Sequence, residues 1–210
     1  MNDPALVRRA AELGAAYVGL VFYPPSPRYL DPARAREVAA EAGPAETVGL
    51  FVDASEREIE AALRHVPLDV LQLHGDETPE RVRALAVWSG LRVMKALRVE
   101  EPADLAPLDE HADAADMVLF DAKPPRRAGA LPGGNGLAFD WRVLEGLALA
   151  KPWALAGGLS PDNLARAVGL VRPPIVDVSS GIEGRPGVKD EDKLEAFLRE
   201  AHRLSASEGT

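Results

Sequence analysis

Asp121 closes the apolar run Met117-Val118-Leu119-Phe120. A carboxyl at the end of a buried strand is partly desolvated, which suits it to general acid or base work. The alternative is a structural aspartate that caps the next loop or pairs with Lys123. Arg28 sits in the proline-stiffened stretch Tyr23-Pro24-Pro25-Ser26-Pro27-Arg28-Tyr29. A guanidinium held there can grip an anionic or planar group through two parallel hydrogen bonds, although a solvated surface arginine has the same spacing. His74 follows Leu71-Gln72-Leu73 and is the only one of the four histidines at a strand end. It either hydrogen-bonds a substrate or satisfies a local backbone group. His65, His111 and His202 are expected at the surface.

Two glycine-bearing turns stand after the last two apolar runs. They are Ala156-Gly157-Gly158-Leu159-Ser160-Pro161 and Asp177-Val178-Ser179-Ser180-Gly181. Backbone N–H groups at such turns are open to close approach, and parallel barrels bind phosphate with the loops after their last two strands. One such loop alone is as well explained by a tight strand–helix turn. The pair together points to a phosphate site at Gly157, Gly158, Ser179, Ser180 and Gly181. Gly133-Gly134-Asn135-Gly136 lacks the preceding strand and the following Lys-Ser/Thr of a P-loop, and reads as part of a lid-like loop over residues 123–136. No His, Asp or Glu cluster has metal-ligand spacing.

The elements that must position these residues are legible. Seven short runs, nearly continuous in apolar character, read as strands covered on both faces. They cover residues 17–22, 47–52, 70–73, 91–96, 117–120, 153–156 and 175–178. By this reading strand ends fall at Asp53, His74, Lys95 and Asp121. Between the runs lie helices with local start signals: Asp31-Pro32, the capping box Ser55-Glu56-Arg57-Glu58, Thr78-Pro79-Glu80 and Ser160-Pro161-Asp162. The first helix runs from about Pro4 to Leu13, and the last carries Leu194, Phe197, Leu198, Ala201 and Leu204 on one face. Strand–helix alternation with right-handed crossovers gives a parallel sheet. Seven strands and eight helices fit an α/β (β/α)8 TIM barrel with the first β-strand missing. A barrel takes about 250 residues and seldom fewer than 200, so 210 residues make a compact one. A single barrel domain is expected over residues 1–204, with a frayed tail at 205–210.

Composition narrows the chemistry. There is no cysteine, which removes disulfides, thiolate metal sites and cysteine nucleophiles from these residues. The balance of 24 basic against 33 acidic residues gives a charge of −9, which argues against nucleic acid and against polybasic membrane attachment. No apolar run reaches the ~18 residues of a membrane span, and the N-terminal residues carry no secretory segment. A cytoplasmic-type protein is expected.

Six motifs in order carry a resemblance. They are Phe22-Tyr23-Pro24-Pro25-Ser26-Pro27-Arg28-Tyr29, Leu71-Gln72-Leu73-His74-Gly75, Phe120-Asp121-Ala122-Lys123, Pro132-Gly133-Gly134-Asn135-Gly136 with Phe139-Asp140-Trp141, Ala156-Gly157-Gly158-Leu159, and Asp177-Val178-Ser179-Ser180-Gly181-Ile182-Glu183 with Gly187-Val188-Lys189-Asp190. From residue 2 to about 203 the chain resembles the phosphoribosylanthranilate isomerases of tryptophan biosynthesis. The resemblance implies a cofactor-free Amadori rearrangement of N-(5'-phosphoribosyl)anthranilate to 1-(2-carboxyphenylamino)-1-deoxyribulose 5-phosphate. It implies that Asp121 is the general acid, that Arg28 engages the anthranilate end, and that His74 and Asp177 line the pocket. It also implies a small-molecule phosphosugar as the only partner, and a monomer is expected.

The sequence departs from the family at one point. The family's general base is a cysteine at the end of the first strand, in a Lys-Ile-Cys-Gly-like motif directly before the first helix. Here the first helix opens the sequence and no cysteine occurs anywhere. A truncated chain and a degenerate, non-catalytic phosphosugar-binding barrel both explain this, and the intact pocket motifs favour truncation. A histidine-pathway aminoaldose isomerase is a further alternative, but it would show a second catalytic aspartate and a half-barrel repeat. These residues alone are expected to have little isomerase activity, because losing a general acid or base costs about 10²–10⁴-fold in rate.

Overall fold

The helix starts form where their caps stand. In the computed structural model, which describes residues 1–124, 131, 133, 134, 136 and 138–208, Asp3 accepts from the Ala5 N–H at the head of α1 (Pro4–Glu12). Asp31 does the same for Ala33 and Arg34 at α2 (Pro32–Ala39). The Ser55–Glu58 capping box opens α3 (Glu56–Leu63), and Thr78 caps α4 (Pro79–Ser89). Each cap satisfies helix-end donors that have no partner within the helix.

These helices alternate with parallel strands β1 (Tyr17–Val21), β2 (Glu46–Phe51), β3 (Val70–Leu73), β4 (Arg92–Val99), β5 (Met117–Ala122), β6 (Trp153–Leu155) and β7 (Ile175–Val176). They pair in chain order in one seven-stranded sheet, with β1 and β7 at its two ends. After β4 comes α5 (Leu108–Ala114), after β6 comes α6 (Leu164–Val171), and α7 (Glu191–Glu208) closes the described chain. A short antiparallel pair, β8 (Glu183–Arg185) and β9 (Val188–Lys189), sits between β7 and α7.

Both faces of the sheet are covered. Val48, Val70, Met94, Ala96, Met117, Leu119, Ala154 and Ala156 form one buried cluster without helix residues, the inner face of the curved sheet. Two larger clusters mix strand and helix residues on the outer face, around Leu20, Phe51, Ile59 and Leu85 and around Phe120, Leu155, Leu164 and Phe197. The Met1 side chain packs against both. The Met1 nitrogen donates to the Gly19 carbonyl, and Asn2 Nδ2 donates to the Gly187 carbonyl at 2.7 Å. Among the described residues no helix is long and apolar enough to cross a membrane.

Four expectations change. Seven α-helices are described rather than eight, because the segment before β6 forms only a 3₁₀ turn, Trp141–Leu144, that stops before Gly146 at φ +74°. The helix expected from Ser160 begins at Leu164. There the Asn163 side chain takes the Ser160 N–H at 2.8 Å and donates to the Gly158 carbonyl at 2.9 Å, tying the intervening residues into a turn. The fourth strand continues past Lys95 to Val99, so Arg98 and Val99 rather than Lys95 form its end. Helix α7 runs four residues into the stretch expected to fray, since no glycine or proline interrupts it before Gly209. Residues 125–130, 132, 135 and 137 of the expected loop and its C-terminal border, and residues 209 and 210, lie outside the described residues.

Candidate active site

Side chains two apart on a strand share a face, and this places the polar ends of the strands together. Gln72 and His74 point inward from β3 and its C-terminal end, Asp121 from β5, and Asp177 follows β7. They line one pocket with Arg28, Gly157, Gly158, Ser179 and Ser180. The pocket holds about 780 Å³, mouth included, a size usual for small-molecule sites. Gly181 lies behind its wall. A Cβ there would come 1.8 Å from the Leu159 carbonyl oxygen, so the glycine lets the two turns close on each other. In the neighbouring turn Gly157 and Gly158 adopt φ +78° and +72°, a region costly for residues with a Cβ. Both turns therefore expose backbone on the same pocket wall.

Asp121 is 7% exposed. Its Oδ1 accepts from the Ala122 N–H at 2.9 Å, and its Oδ2 lies 3.1 Å from His74 Nε2. On the other side of the imidazole, Nδ1 lies 3.2 Å from Gln72 Oε1. Arg98, in register with Asp121, donates from Nη2 to the His74 carbonyl at 2.9 Å and so fixes the end of β3 against β4. Asp177 is pushed above the usual carboxylate range first by burial and then by the neighbouring Asp121 carboxyl, against the pull of Lys189.

Arg28 is buried, not a solvated surface arginine. Its Nε and Nη2 donate to the two oxygens of Glu183 at 2.7 and 2.9 Å, and Nη2 also donates to the Gly134 carbonyl at 3.0 Å. Glu183 accepts two further bonds, from Lys189 Nζ at 3.0 Å and the Gly187 N–H at 3.2 Å. Burial pushes the Glu183 carboxyl up, but the Arg28 bonds and the Lys189 charge outweigh it and hold the group below its ordinary value. Lys189 is held below its ordinary value by burial, against the pull of Glu183. Asp177 stands near Lys189 as well, and within the Arg28–Lys189–Glu183 cluster two cations against one carboxylate leave a surplus positive charge. That is the sign an anionic substrate group needs.

Gly133 and Gly134 join the two halves. A Cβ on Gly133 would lie 2.5 Å from Asp121 Oδ2 and 2.8 Å from His74 Nε2, while Gly134 meets Arg28. The acid end and the cationic end of the pocket are thus one residue apart along this segment.

Elsewhere, Lys95 points outward between sheet and helices. It donates to Glu77 Oε2 and the Gly75 carbonyl, both at 2.8 Å, and contributes nothing to the pocket. His111, expected at the surface, is buried, on the side of α5 where it lines a second cavity with Lys95 and Glu77. Local sequence pattern assigns no role to Gln72, Glu183 or Lys189. Gln72 was findable from its two-residue spacing to His74. Glu183 lies 155 residues from Arg28 with no local signal joining them. Among the described residues no group of three His, Asp or Glu could hold a metal ion.

Residues 1–200 match the family described as N-(5'-phosphoribosyl)anthranilate (PRA) isomerase. The N-(5'-phosphoribosyl)anthranilate isomerase of Paracoccus denitrificans is 52% identical over 203 residues, covering 96% of this chain and 94% of that one. The crystal structure of the Thermotoga maritima phosphoribosylanthranilate isomerase superposes with a TM-score of 0.83 at 36% identity, covering 97% of this chain and 95% of that one. A further phosphoribosylanthranilate isomerase structure, in complex with reduced 1-(o-carboxyphenylamino)-1-deoxyribulose 5-phosphate, superposes with a TM-score of 0.81 at 32% identity and the same coverage.

Proposed function

Because the chain belongs to the N-(5'-phosphoribosyl)anthranilate isomerase family of tryptophan biosynthesis, we propose a division of labour within its pocket. Asp121 is the general acid. It delivers a proton to the furanose ring oxygen of the substrate. The C1–O bond breaks, the nitrogen lone pair forms the C1=N bond of a Schiff base, and the ring oxygen leaves as a hydroxyl. A base then takes the C2 proton, the C2–H electron pair forms the C1=C2 bond of an enolamine, and tautomerisation gives the ketone. Arg28 engages the anthranilate carboxylate. The turns at Gly157-Gly158 and Ser179-Ser180-Gly181 take the phosphate, and His74 and Asp177 line the space between. The substrate is a phosphosugar, the rearrangement needs no cofactor, and the chain acts as a cytoplasmic monomer over one domain, residues 1–204.

The observation that carries this reading is the pair of ends joined at Gly133–Gly134. A buried carboxyl touching an imidazole lies beside a buried arginine at the positive end of the same pocket. An aryl-carboxylate and a sugar ring attached through one nitrogen need that pairing of groups at close range.

The family's base is a cysteine on a strand preceding α1, whereas the described residues carry seven parallel strands and the sequence no cysteine. We therefore propose that the 210 residues alone bind the reduced product analogue yet turn over slowly, by about 10²–10⁴-fold relative to a version carrying that strand and its cysteine. The test compares both proteins, each with and without Asp121→Asn, by loss of substrate fluorescence and by calorimetry with the analogue. Equal turnover of the two proteins overturns the role of the cysteine. Turnover indifferent to Asp121→Asn overturns the role of the acid. Binding without turnover in both would favour a phosphosugar-binding barrel.

A further inference from the structure

The buried amide of Gln72 has two chemically different ends and two different neighbours. Its Nε2 lies 3.2 Å from Met94 Sδ, and its Oε1 lies 3.2 Å from His74 Nδ1. A thioether sulfur carries no hydrogen and accepts only weakly. Reversing the amide would set a carbonyl oxygen against sulfur lone pairs with no proton between them. The sulfur therefore selects the orientation in which the oxygen faces the imidazole. An acceptor facing Nδ1 requires a hydrogen on Nδ1. In a neutral imidazole this leaves Nε2 bare, and Nε2 is the atom 3.1 Å from Asp121 Oδ2. A bare nitrogen facing an ionised carboxylate would have no proton to share. Nor is Asp121 Oδ1 the oxygen that faces the ring, since it accepts from the Ala122 N–H.

We infer that Gln72 is a positioning residue: it holds His74 in the Nδ1–H tautomer, so that Nε2 accepts from Asp121 and the transferable proton stays on Oδ2. This rests on the reading of Asp121 as the general acid and adds what keeps that acid loaded. Several contacts hold the arrangement. Gln72 and Met94 are in register on paired strands, His74 is tied through its carbonyl to Arg98, and Gly133 lies against both partners of the shared proton. Gln72, His74 and Asp121 are all less than 9% exposed, so little of this network faces solvent.

The imidazole nitrogens report the tautomer directly, with or without turnover. Two-bond proton–nitrogen correlation spectra of the full chain, labelled at histidine nitrogen, should show His74 near neutral pH with a protonated Nδ1 and an unprotonated Nε2. Gln72→Met removes the acceptor, and the majority proton should move to Nε2. His111 and His202 keep their signals and serve as the folding control. A wild-type His74 protonated on Nε2, or on both nitrogens, overturns the inference. So does a folded Gln72→Met variant with unchanged His74 signals. If that variant fails to fold, the wild-type spectrum decides alone. Failure of the acid assignment shows separately, as turnover indifferent to Asp121→Asn alongside an intact Nδ1–H signal.

Discussion

Removing Glu183 should be among the most damaging single changes at this site, and the structure sets its size. The carboxylate, 5% exposed at its side chain, faces Arg28 at 10% and Lys189 at 5%. Two unit charges ~4 Å apart attract by about 4 kcal/mol at the effective dielectric of ~20 suited to protein sites. The two pairs together amount to a gross ~8 kcal/mol, against several kcal/mol for desolvating the carboxylate. Glu183→Ala leaves two facing buried cations and an unpaired Gly187 N–H, and one-sided removal of a buried pair costs about 3–5 kcal/mol. With an m-value of ~2 kcal/mol per molar urea, the unfolding midpoint should fall by about 2 M. Glu183→Gln retains the shape and one acceptor and should fall by roughly half as much. Lys189→Met in the Glu183→Gln background removes the surplus cation and should recover part of the loss. Analogue affinity should drop in every variant that releases Arg28. A Glu183→Ala midpoint within ~0.5 M of the parent, the size of a solvent-screened pair, would refute the argument that this cluster is desolvated.

Two other outcomes follow from neighbouring contacts. Gly133→Ala puts a methyl within 3 Å of both Asp121 Oδ2 and His74 Nε2. Overpacking costs about 1–3 kcal/mol, so calorimetry should find the reduced product analogue bound at least ~5-fold more weakly; unchanged affinity would mean that this segment stands clear of the site. His111 is held below its ordinary 6.5 by burial first and by Lys95 second, with Glu110, Glu77 and Glu80 offsetting part of it. The folded state therefore binds fewer protons than the unfolded state just below pH 6.5. Stability from this group is full above 6.5 and is lost as pH falls through and below it. Urea midpoints at pH 7 and pH 5 should differ less in His111→Met than in the parent, and equal differences would refute the assignment.

Local signals in the sequence located most of the scaffold. The caps at Asp31, Ser55 and Thr78 stand where their types and spacing place them, because each acts within one turn of its own helix. The apolar runs locate the strands because burial on both faces leaves no room for polar alternation. The errors fall where a side chain answers to something distant. Lys95 looks like the end of a strand because it interrupts an apolar run. Its ammonium instead reaches outward to Glu77 and the Gly75 carbonyl, and the strand continues for four residues. Ser160-Pro161-Asp162 has the composition of a helix start, but Asn163 spends its amide on Ser160 and Gly158 and delays the helix.

The site divides along the same line. Asp121 and His74 were visible because strand ends in a parallel sheet converge on one mouth, a rule that needs only the position of each strand. What the rule cannot reach is the partner each group needs once water is excluded. Arg28 could be named from its loop, but its carboxylate comes from the first residue of β8, 155 residues further along the chain, and that partner takes up one edge of the guanidinium. Asp177 is a pocket residue whose carboxyl is raised first by its own burial and then by Asp121, 56 residues away in sequence and lining the same pocket. Reactive side chains are thus legible from local pattern, whereas the groups that set their charge and orientation are matched across the barrel. Gln72 is the exception. It stands two residues from the histidine it orients, and the period of the strand alone puts both on one face.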